Sequence, residues 1–359
     1  MPVSLFDTVT AIEPLRAELR AAIDRVLESG RYILGPELRA FESEFAGYVG
    51  AAHAIGVANG TDALTIALRA MGVGPGDDVV VPSFSFYASA EAIVPTGARP
   101  VFCDIDPHTF CVTADSVRAA LTARTKAVVV VHLFGNVAPV AESEALGVPV
   151  LEDAAQAAGS LGPDGRPGSL GTAATFSFYP SKNLGAFGDG GAITTSDAQV
   201  AERARTLRHH GSRDKETFAE VGYNSRLDEL QAAILRVQLP HLDAWADGRR
   251  AAGESYSASG VGELVDLPQP TAGSQPAWHL YVVRSARADA LGEALRAAGI
   301  EARAYYRRPI HRQPSMAVEL DLPGTDEAAR TNLALPIGAT LGAARVAQVA
   351  ATVREFLTA

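Results

Sequence analysis

The chain has 359 residues, of which 47% are hydrophobic and 20% charged, and its formal net charge at pH 7 is −10. This length favours two domains, and the acidic balance argues against a general nucleic-acid binder, although local arginines and helix N-termini could still hold a small anion. No apolar run approaches about 18 residues, and residues 1–20 lack the apolar segment of a signal peptide. The only cysteines, Cys103 and Cys111, match neither a zinc site nor a disulfide framework. We therefore expect a cytoplasmic protein with no membrane span and no metal site.

Predicted helices and strands alternate over the first two thirds of the chain. Apolar residues at helical spacing predict the helices, and short apolar runs predict the strands. The helices are predicted at 12–27, from 36 onward, and at 61–70, 197–210 and 224–238; the strands at 54–57, 79–81, 99–105, 125–133, 149–151, 175–179 and 192–195. This alternation predicts an α/β fold with a mostly parallel sheet between helices.

A proline near the end of this region predicts a domain boundary. Pro240 interrupts the helical pattern, so we divide the chain into a large domain, 1–240, and a smaller α/β domain, 241–359. The smaller domain is predicted to contain helices at 243–256, 288–298 and 343–357 and strands at 279–284 and 301–304.

The turn after the first predicted strand is a candidate phosphate site. Gly60 permits a tight turn, and Thr61 or Asp62 can cap the helix that follows. Free N–H groups and the helix dipole at such a helix start attract a phosphate. Capping alone also explains these residue types, so both interpretations remain open.

An aromatic cluster follows the next strand. Pro82 ends that strand, and Ser83–Tyr87 comes directly after it. Ligands of open α/β sheets bind at the carboxyl ends of the strands, so a ring here could stack on a flat cofactor. Packing in the core is the commoner role of such residues.

Polar residues follow two later strands. His132 lies near the end of a strongly apolar run typical of a parallel strand covered on both faces; it could line a site or be a hydrogen-bonded structural histidine. Two acids and a glutamine lie within 152–156, just past another strand. A buried carboxylate there needs a cationic partner or becomes protonated.

The stretch 176–193 contains an isolated lysine in a distinctive setting. A proline ends the strand, Lys182 follows, and four glycines lie within 185–191 before the next strand begins. A lysine past a strand end, between aromatic residues and glycine turns, suits Schiff-base chemistry, which requires a desolvated and therefore partly neutral amine. An ordinary β-hairpin with a solvated lysine is equally consistent with this stretch alone.

Together these motifs form the set of groups that a pyridoxal phosphate enzyme needs: a phosphate site, an aromatic ring, a carboxylate for the pyridine nitrogen, and a lysine for the aldehyde. The motifs resemble those of the DegT/StrS family of sugar aminotransferases, which are fold-type-I enzymes that use pyridoxal 5′-phosphate. The resemblance covers nearly the whole chain. The motifs that carry it lie at 59–64, 152–156, 177–185 and 224–233.

The resemblance implies a role for each motif residue around the cofactor ring. Lys182 would bind the cofactor as a Schiff base and later move protons at the reacting carbon. Asp153 would pair with the pyridinium nitrogen, and Gln156 would hydrogen-bond the phenolic oxygen. Phe86 would stack on the ring.

The same resemblance implies a phosphate site that two subunits share. Gly60, Thr61 and Ser177 would hold the phosphate, and Asn224 would reach it from the neighbouring subunit. This arrangement implies a homodimer with shared active sites.

The resemblance also implies a reaction in two halves. L-Glutamate would give its amino group to the cofactor, which would then aminate a keto-sugar carried on a nucleoside diphosphate. The glycine-rich run after Lys182 is similar to that of members acting at the 3-keto group of dTDP-6-deoxyhexoses, which we favour over the 4-position. One rival is a sugar dehydratase, but its relatives replace the lysine with histidine, so Lys182 argues against it. The other is a non-catalytic regulator that binds the cofactor or a sugar, against which the complete set of Lys182, Asp153 and Gln156 argues.

A loop rich in aromatic and basic residues, 305–312, is the predicted sugar-nucleotide contact. Tyr306, Arg308 and His311 are its candidate substrate-binding residues, because this part of the family lies near the nucleotide-sugar and arginine can bind a diphosphate bidentately. A solvated basic face is an equally good interpretation of each arginine.

Overall fold

The computed structural model describes residues 2–359. Within that range none of the helices is both long enough and apolar enough to cross a membrane. The α-helices are α1 (Arg16–Ser29), α2 (Pro36–Val49), α3 (Gly60–Ala70), α4 (Ala88–Glu91), α5 (Ala114–Ala120), α6 (Val140–Glu144), α7 (Ala198–Leu207), α8 (Glu229–Gln238), α9 (Leu242–Ala258), α10 (Ala288–Ala297), α11 (Pro323–Thr331) and α12 (Ala343–Thr358).

The strands form a seven-stranded sheet and a two-stranded sheet. Those of the large sheet are β1 (His53–Val57), β2 (Asp78–Pro82), β3 (Arg99–Cys103), β4 (Thr125–Val131), β5 (Val150–Asp153), β6 (Ala173–Ser177) and β7 (Gly191–Thr195); those of the small sheet are β8 (Tyr281–Arg284) and β9 (Asn332–Leu335). The order in the large sheet is β1-β7-β6-β5-β4-β2-β3.

Only β7 runs against the other strands of the large sheet, since it pairs antiparallel with both β1 and β6. All remaining neighbours pair parallel. The predicted mostly parallel sheet is therefore confirmed. The carboxyl ends of six strands lie at one edge, and the loops that carry Gly60, Phe86, Gln156 and Lys182 leave from this edge.

Packing on the two faces of the sheet follows the alternation of side chains along a strand. Ile55 and Ile193 belong to one apolar cluster, which also contains the buried face of α3. Their neighbours Ala54 and Ala192 belong to a second cluster with Phe41 and other residues of α2. Both faces are thus covered by helices, which explains why strands such as β4 are continuous apolar runs.

A separate apolar cluster holds the C-terminal part of the chain together. It combines residues of α9, α10, α12 and the small sheet with Val3 from the N-terminus. Val3 forms a parallel bridge with Ile300, and the amide of Leu5 donates to Glu301 Oε2 at 2.8 Å. The N-terminal segment therefore packs against the C-terminal unit, while the boundary near 240 stays a prediction.

One predicted strand is wrong. Residues 301–304 form no strand, only a single bridge between Arg303 and Ala334. The strand that pairs with β8 is β9 instead. Only four residues long and buried throughout, β9 lacks the polar–apolar alternation that would reveal it in the sequence.

Candidate active site

Lys182 lies in the connection between β6 and β7, just beyond the carboxyl edge of the sheet. The amide of Phe178 donates to Gly190 O at 2.8 Å, so the two chain segments stay paired past the end of β6. The amide of Lys182 donates to Tyr179 O at 2.8 Å and closes a turn. These backbone bonds fix the lysine close to the end of the sheet.

The amine of Lys182 is partly desolvated. The residue is half-buried, and burial lowers the pKa of its amine to about 8, against the opposing effect of the nearby Asp153 carboxylate. A substantial neutral fraction is therefore present near neutral pH. This differs from the solvated lysine of an ordinary hairpin.

Asp153 ends β5 and presents a buried carboxylate that lacks an ion-pair partner. The side-chain hydroxyl of Ser89 donates to Asp153 Oδ2 at 2.7 Å, and the amide of Ala155 donates to Oδ1 at 3.2 Å. Asp153 is 5% exposed, and no basic side chain within residues 2–359 lies within ion-pair distance of it. Its remaining acceptor capacity suits a positively charged N–H donor.

Ser89 is a site residue that the sequence analysis did not identify. Its hydroxyl also lies 2.8 Å from Ser85 Oγ, so two serines and Asp153 form a short hydrogen-bond chain. The only sequence signal was the position of Ser85 in the aromatic cluster after β2, because Ser89 and Asp153 are 64 positions apart.

Gln156 and Tyr306 meet above the same edge. Gln156 Oε1 accepts from the amide of Phe134 at 2.6 Å, and its Nε2 donates to Tyr306 Oη at 3.4 Å. Burial raises the pKa of Tyr306, so its phenol is protonated at neutral pH. The ring of Phe86 is 57% exposed and lies 6.1 Å from the Tyr306 ring.

The start of α3 offers two unused backbone donors. Asn59 Oδ1 accepts from the amide of Asp62 at 2.8 Å, and Asn59 O accepts from that of Ala63 at 3.1 Å. The amides of Gly60 and Thr61 have no partner inside the helix. Together with the helix dipole they form a potential anion site.

Close contact among three strands shapes this helix start. Val57 and Ser177 both pair with Gly191 in the sheet register. A Cβ atom on Gly60 would lie 2.8 Å from the Cβ of Ser177, and one on Gly191 would lie 2.5 Å from the carbonyl of Asn59. Glycine at both positions therefore lets Ser177 approach the free amides.

Asn224 lies in the segment between α7 and α8. It is exposed, and its Oδ1 accepts from Arg226 Nη2. Arg226 Nη1 lies 3.3 Å from His209 Nδ1. Within residues 2–359, Asn224 forms no hydrogen bond to another predicted cofactor residue.

The three predicted sugar-binding residues occupy different environments. Tyr306 contacts Gln156, whereas Arg308 is exposed. His311 is fully buried, with Nδ1 2.5 Å from Ser83 Oγ. Its Nε2 is buried without a hydrogen-bond partner in the described residues.

His132 is a hydrogen-bonded structural histidine, the second of its two interpretations. Its Nδ1 accepts from the amide of Ala138 at 2.9 Å, so Nε2 carries the proton and donates to Glu152 at 2.9 Å. Glu152 also accepts the amides of Gly168, Leu170 and Gly171 at 2.8–2.9 Å. These bonds fasten the loop that precedes β6.

A desolvated lysine, a buried carboxylate and a helix start at one edge of such a sheet define a pyridoxal phosphate-dependent enzyme of the aminotransferase type. The chain matches the DegT/DnrJ/EryC1/StrS aminotransferase family over residues 14–354 and belongs to that family. The predicted family, fold class, enzyme class and cofactor are thereby confirmed.

Individual relatives are similar over their full length. The chain is 46% identical to dTDP-3-amino-3,4,6-trideoxy-alpha-D-glucose transaminase of Streptomyces venezuelae, covering 99% of this chain and 96% of that protein. It is 43% identical to a pleiotropic regulatory protein of Geobacillus stearothermophilus, with 99% of each chain covered. Among solved structures, S. venezuelae DesV in complex with a ketimine intermediate has a TM-score of 0.96 and 44% identity, covering 100% of this chain and 99% of that one.

The residues present fit the cofactor of this family. Asp153 has acceptor capacity and no cation, which suits a protonated pyridine nitrogen. Gly60 and Thr61 offer free amides, and bulkier residues in place of Gly60 or Gly191 would crowd their surroundings. Lys182 supplies a partly neutral amine.

Proposed function

We propose that this protein transfers an amino group from L-glutamate to the 3-keto group of a nucleoside-diphosphate-linked deoxysugar. The products would be 2-oxoglutarate and an amino sugar for antibiotic or surface-glycan biosynthesis. The observation that carries the proposal is the desolvated amine of Lys182 beside the unpaired Asp153 carboxylate. The name of the 46% identical relative supports a sugar nucleotide as acceptor and the 3-position as the site of amination.

In this proposal five residues besides Lys182 and Phe86 hold the cofactor on the chain itself. The amides of Gly60 and Thr61 and the hydroxyl of Ser177 would bind its phosphate. Asp153 would keep the pyridine nitrogen protonated, and Gln156 would donate to the phenolic oxygen. When bound, pyridoxal phosphate supplies a ring that withdraws electrons from the reacting carbon.

Other residues would position these groups. The hydroxyl of Ser89 orients the Asp153 carboxylate, and the exposed ring of Phe86 offers a face for stacking. Burial around Asp153 and Gln156 excludes water, which strengthens their hydrogen bonds.

Lys182 would act as the acid–base group for the substrates. Its Nζ takes the proton from the α-carbon of L-glutamate and later delivers a proton to the sugar carbon that receives the amino group. Burial lowers the pKa of this amine and so favours the neutral form that can accept the first proton.

The remaining partners belong to the same proposal. Tyr306, Arg308 and His311 would contact the nucleotide-sugar, and a second copy of the chain would contribute Asn224 to form a homodimer with shared sites. A cytoplasmic location is supported by two cysteines that are both free and buried.

Two alternatives are a 4-keto-sugar aminotransferase and a non-catalytic regulator on the same scaffold. The name of the 43% identical Geobacillus stearothermophilus relative favours keeping the regulator as a candidate. The presence of Lys182, Asp153 and Gln156 together argues for turnover, because none of the groups that the chemistry needs has been lost.

The visible spectrum of the cofactor-loaded protein tests the proposal, recorded before and after adding L-glutamate without sugar. We expect the cofactor's absorbance to change to that of the pyridoxamine form, with release of 2-oxoglutarate. A panel of 3- and 4-keto-sugar nucleotides then identifies the acceptor. A cofactor band that never responds to any amino donor would favour the regulator.

A further inference from the structure

A small cavity adjoins Lys182 on the side of the N-terminal segment. Its volume is about 40 Å³, and its lining includes Lys182, Asp7, Trp245 and Arg249. A cavity needs a volume of about 10–15 Å³ to hold one water molecule. The cavity beside Lys182 is larger than that and has room for a carboxylate group. Of the residues predicted to belong to the active site, only Lys182 lines this cavity.

Arg249 projects from α9 with most of its donors unused. Its Nη1 donates to Trp278 O at 3.2 Å, and within residues 2–359 no carboxylate lies within ion-pair distance of its guanidinium. The residue is half-buried, and burial lowers the pKa of its guanidinium to about 10, against the opposing effect of Asp7. It is therefore a cation at neutral pH that has lost part of its hydration without gaining an anion.

The neighbouring acid, Asp7, binds backbone amides through one of its two carboxylate oxygens. Asp7 Oδ1 accepts the amides of Val9 and Thr10 at 3.1 and 2.9 Å, and the carboxylate makes no ion pair with Arg249. His279, which lies close to both Lys182 and Arg249, is neutral because burial and these two cations lower its pKa well below the usual range. Neither group satisfies the guanidinium.

The next residue on α9 provides a contrast. Arg250 is also half-buried, yet its Nη2 pairs with Asp247 Oδ1 at 2.6 Å. The unpaired state of Arg249 is therefore not a general feature of this helix. It is confined to the arginine that faces the cavity beside the lysine.

We propose that Arg249 binds a carboxylate of the amino-donor substrate in the cavity beside Lys182. The guanidinium can hold a carboxylate through two parallel hydrogen bonds, and the cavity places that carboxylate next to the lysine that moves the donor's proton. This inference rests on the proposed function. Since the sugar acceptor reacts at a keto group, Arg249 acts in the donor half-reaction and not in the sugar half-reaction.

The test compares Arg249→Gln, Arg249→Lys and the control Arg250→Gln, each loaded with cofactor. The half-reactions are followed separately by absorbance, one with L-glutamate and the reverse one with the amino-sugar nucleotide. For Arg249→Gln we expect the half-saturating glutamate concentration to rise at least about tenfold, the loss of a charged hydrogen bond. The amino-sugar half-reaction should stay within about twofold, and Arg249→Lys should recover part of the loss.

Binding of glutarate, a dicarboxylate that cannot react, gives a second measurement by calorimetry on the loaded proteins. We expect Arg249→Gln to bind it at least about tenfold more weakly and Arg250→Gln to bind it as the parent does. If Arg249→Gln does not fold, as judged by its melting temperature, Arg249→Lys must still show a weaker affinity for glutarate.

Three results would overturn the inference: unchanged glutamate and glutarate affinities in Arg249→Gln, an equal loss in both half-reactions, or the same loss in Arg250→Gln. An equal loss would indicate a structural role or a contact with the nucleotide phosphates. If the parent protein fails to exchange with glutamate, the proposed function fails, whereas the glutarate measurement still decides whether Arg249 binds carboxylates.

Discussion

The protonation of Lys182 depends on two opposing influences. Burial disfavours the ammonium, and the Asp153 carboxylate favours it, with burial dominant. A lysine with an ordinary pKa near 10.5 has about one neutral amine in three thousand at pH 7, whereas one with a pKa of about 8 has about one in ten. The environment alone thus raises the concentration of the nucleophile by more than two orders of magnitude.

This shift predicts the pH dependence of cofactor capture. Because only the neutral amine attacks the aldehyde, the initial rate of cofactor binding to the cofactor-free protein should rise with pH and level off above about pH 8. Stopped-flow absorbance at a fixed cofactor concentration measures this rate, and Lys182→Ala should show no Schiff-base absorbance at any pH. A rate that keeps rising toward pH 10 would mean that Lys182 is not desolvated.

The order of residue types along the chain predicted the cofactor, whereas the role of each residue came from the family resemblance and stays a prediction. This order could not reveal Ser89 or Arg249. A serine and an arginine have many structural roles, and their contacts join segments far apart in the sequence. Of the two neighbouring arginines, only Arg249 lacks an ion-pair partner, and this depends on how α9 packs against the rest of the chain.

Three neighbouring strands, β1, β7 and β6, determine where α3 begins. β7 lies between β1 and β6 and pairs antiparallel with both, so Gly191 lies in one row with Val57 and Ser177. At Gly191 the strand passes so close to Asn59 that a side chain has no room. The position of the proposed phosphate site therefore depends on this strand contact.

A methyl group at position 191 should push β7 away from the segment that contains Asn59. In Gly191→Ala the new Cβ would lie 2.5 Å from Asn59 C and O, which are backbone atoms that cannot rotate away. We expect a loss of about 1–3 kcal/mol in the free energy of unfolding and weaker retention of the cofactor, because the start of α3 must move. Chemical denaturation and equilibrium dialysis measure the two effects.

Gly47→Ala is the matched control. Gly47 lies in the interior of α2 and is exposed, and its Cβ would lie at least 4 Å from any atom outside its own helix backbone. Alanine favours a helix over glycine by up to about 1 kcal/mol, so this variant should gain stability and keep its cofactor. If both variants behaved alike, the close approach of Gly191 to Asn59 would not be what positions α3.

At the scale of helices and strands, the long amphipathic helices and the apolar strands could be predicted well from the sequence. Helices α1, α2 and α12 follow their apolar periodicity, and β4 follows its run of valines. The short elements α6, α11 and β9 were missed or unspecified, because four to nine residues contain too few turns or alternations to define a period. The antiparallel direction of β7 was also invisible, since it depends on a connection and not on a pattern.

At the scale of the whole molecule, several aromatic side chains are exposed at the surface. Tyr32, Phe86, Tyr179 and Phe187 are each about half exposed. Two of them adjoin the start of α8, since the amide of Glu229 donates to Tyr32 O and that of Phe187 donates to Gln231 Oε1. Exposed apolar surface of this kind suits an interface, which supports the proposed homodimer.

A shared active site makes a distinct prediction for mixed dimers. If Asn224 serves the partner's cofactor, a dimer of one Lys182→Ala chain and one Asn224→Ala chain contains one intact site and one doubly altered site. Denaturing and refolding the two variants in equal amounts should then restore intact sites to about a quarter of the total. Each variant alone should show weak or no amination at low cofactor concentration.

The alternative arrangement gives a different result in the same assay. If Asn224 serves the cofactor of its own chain, every site in the mixed dimer lacks either the lysine or the asparagine, and mixing restores nothing. Its exposure and its lack of hydrogen bonds to the other cofactor residues of its own chain favour the first outcome. Analytical ultracentrifugation first checks that the mixture consists of dimers. If the activity of these dimers stays at the average of the two variants, Asn224 lies outside the partner's site.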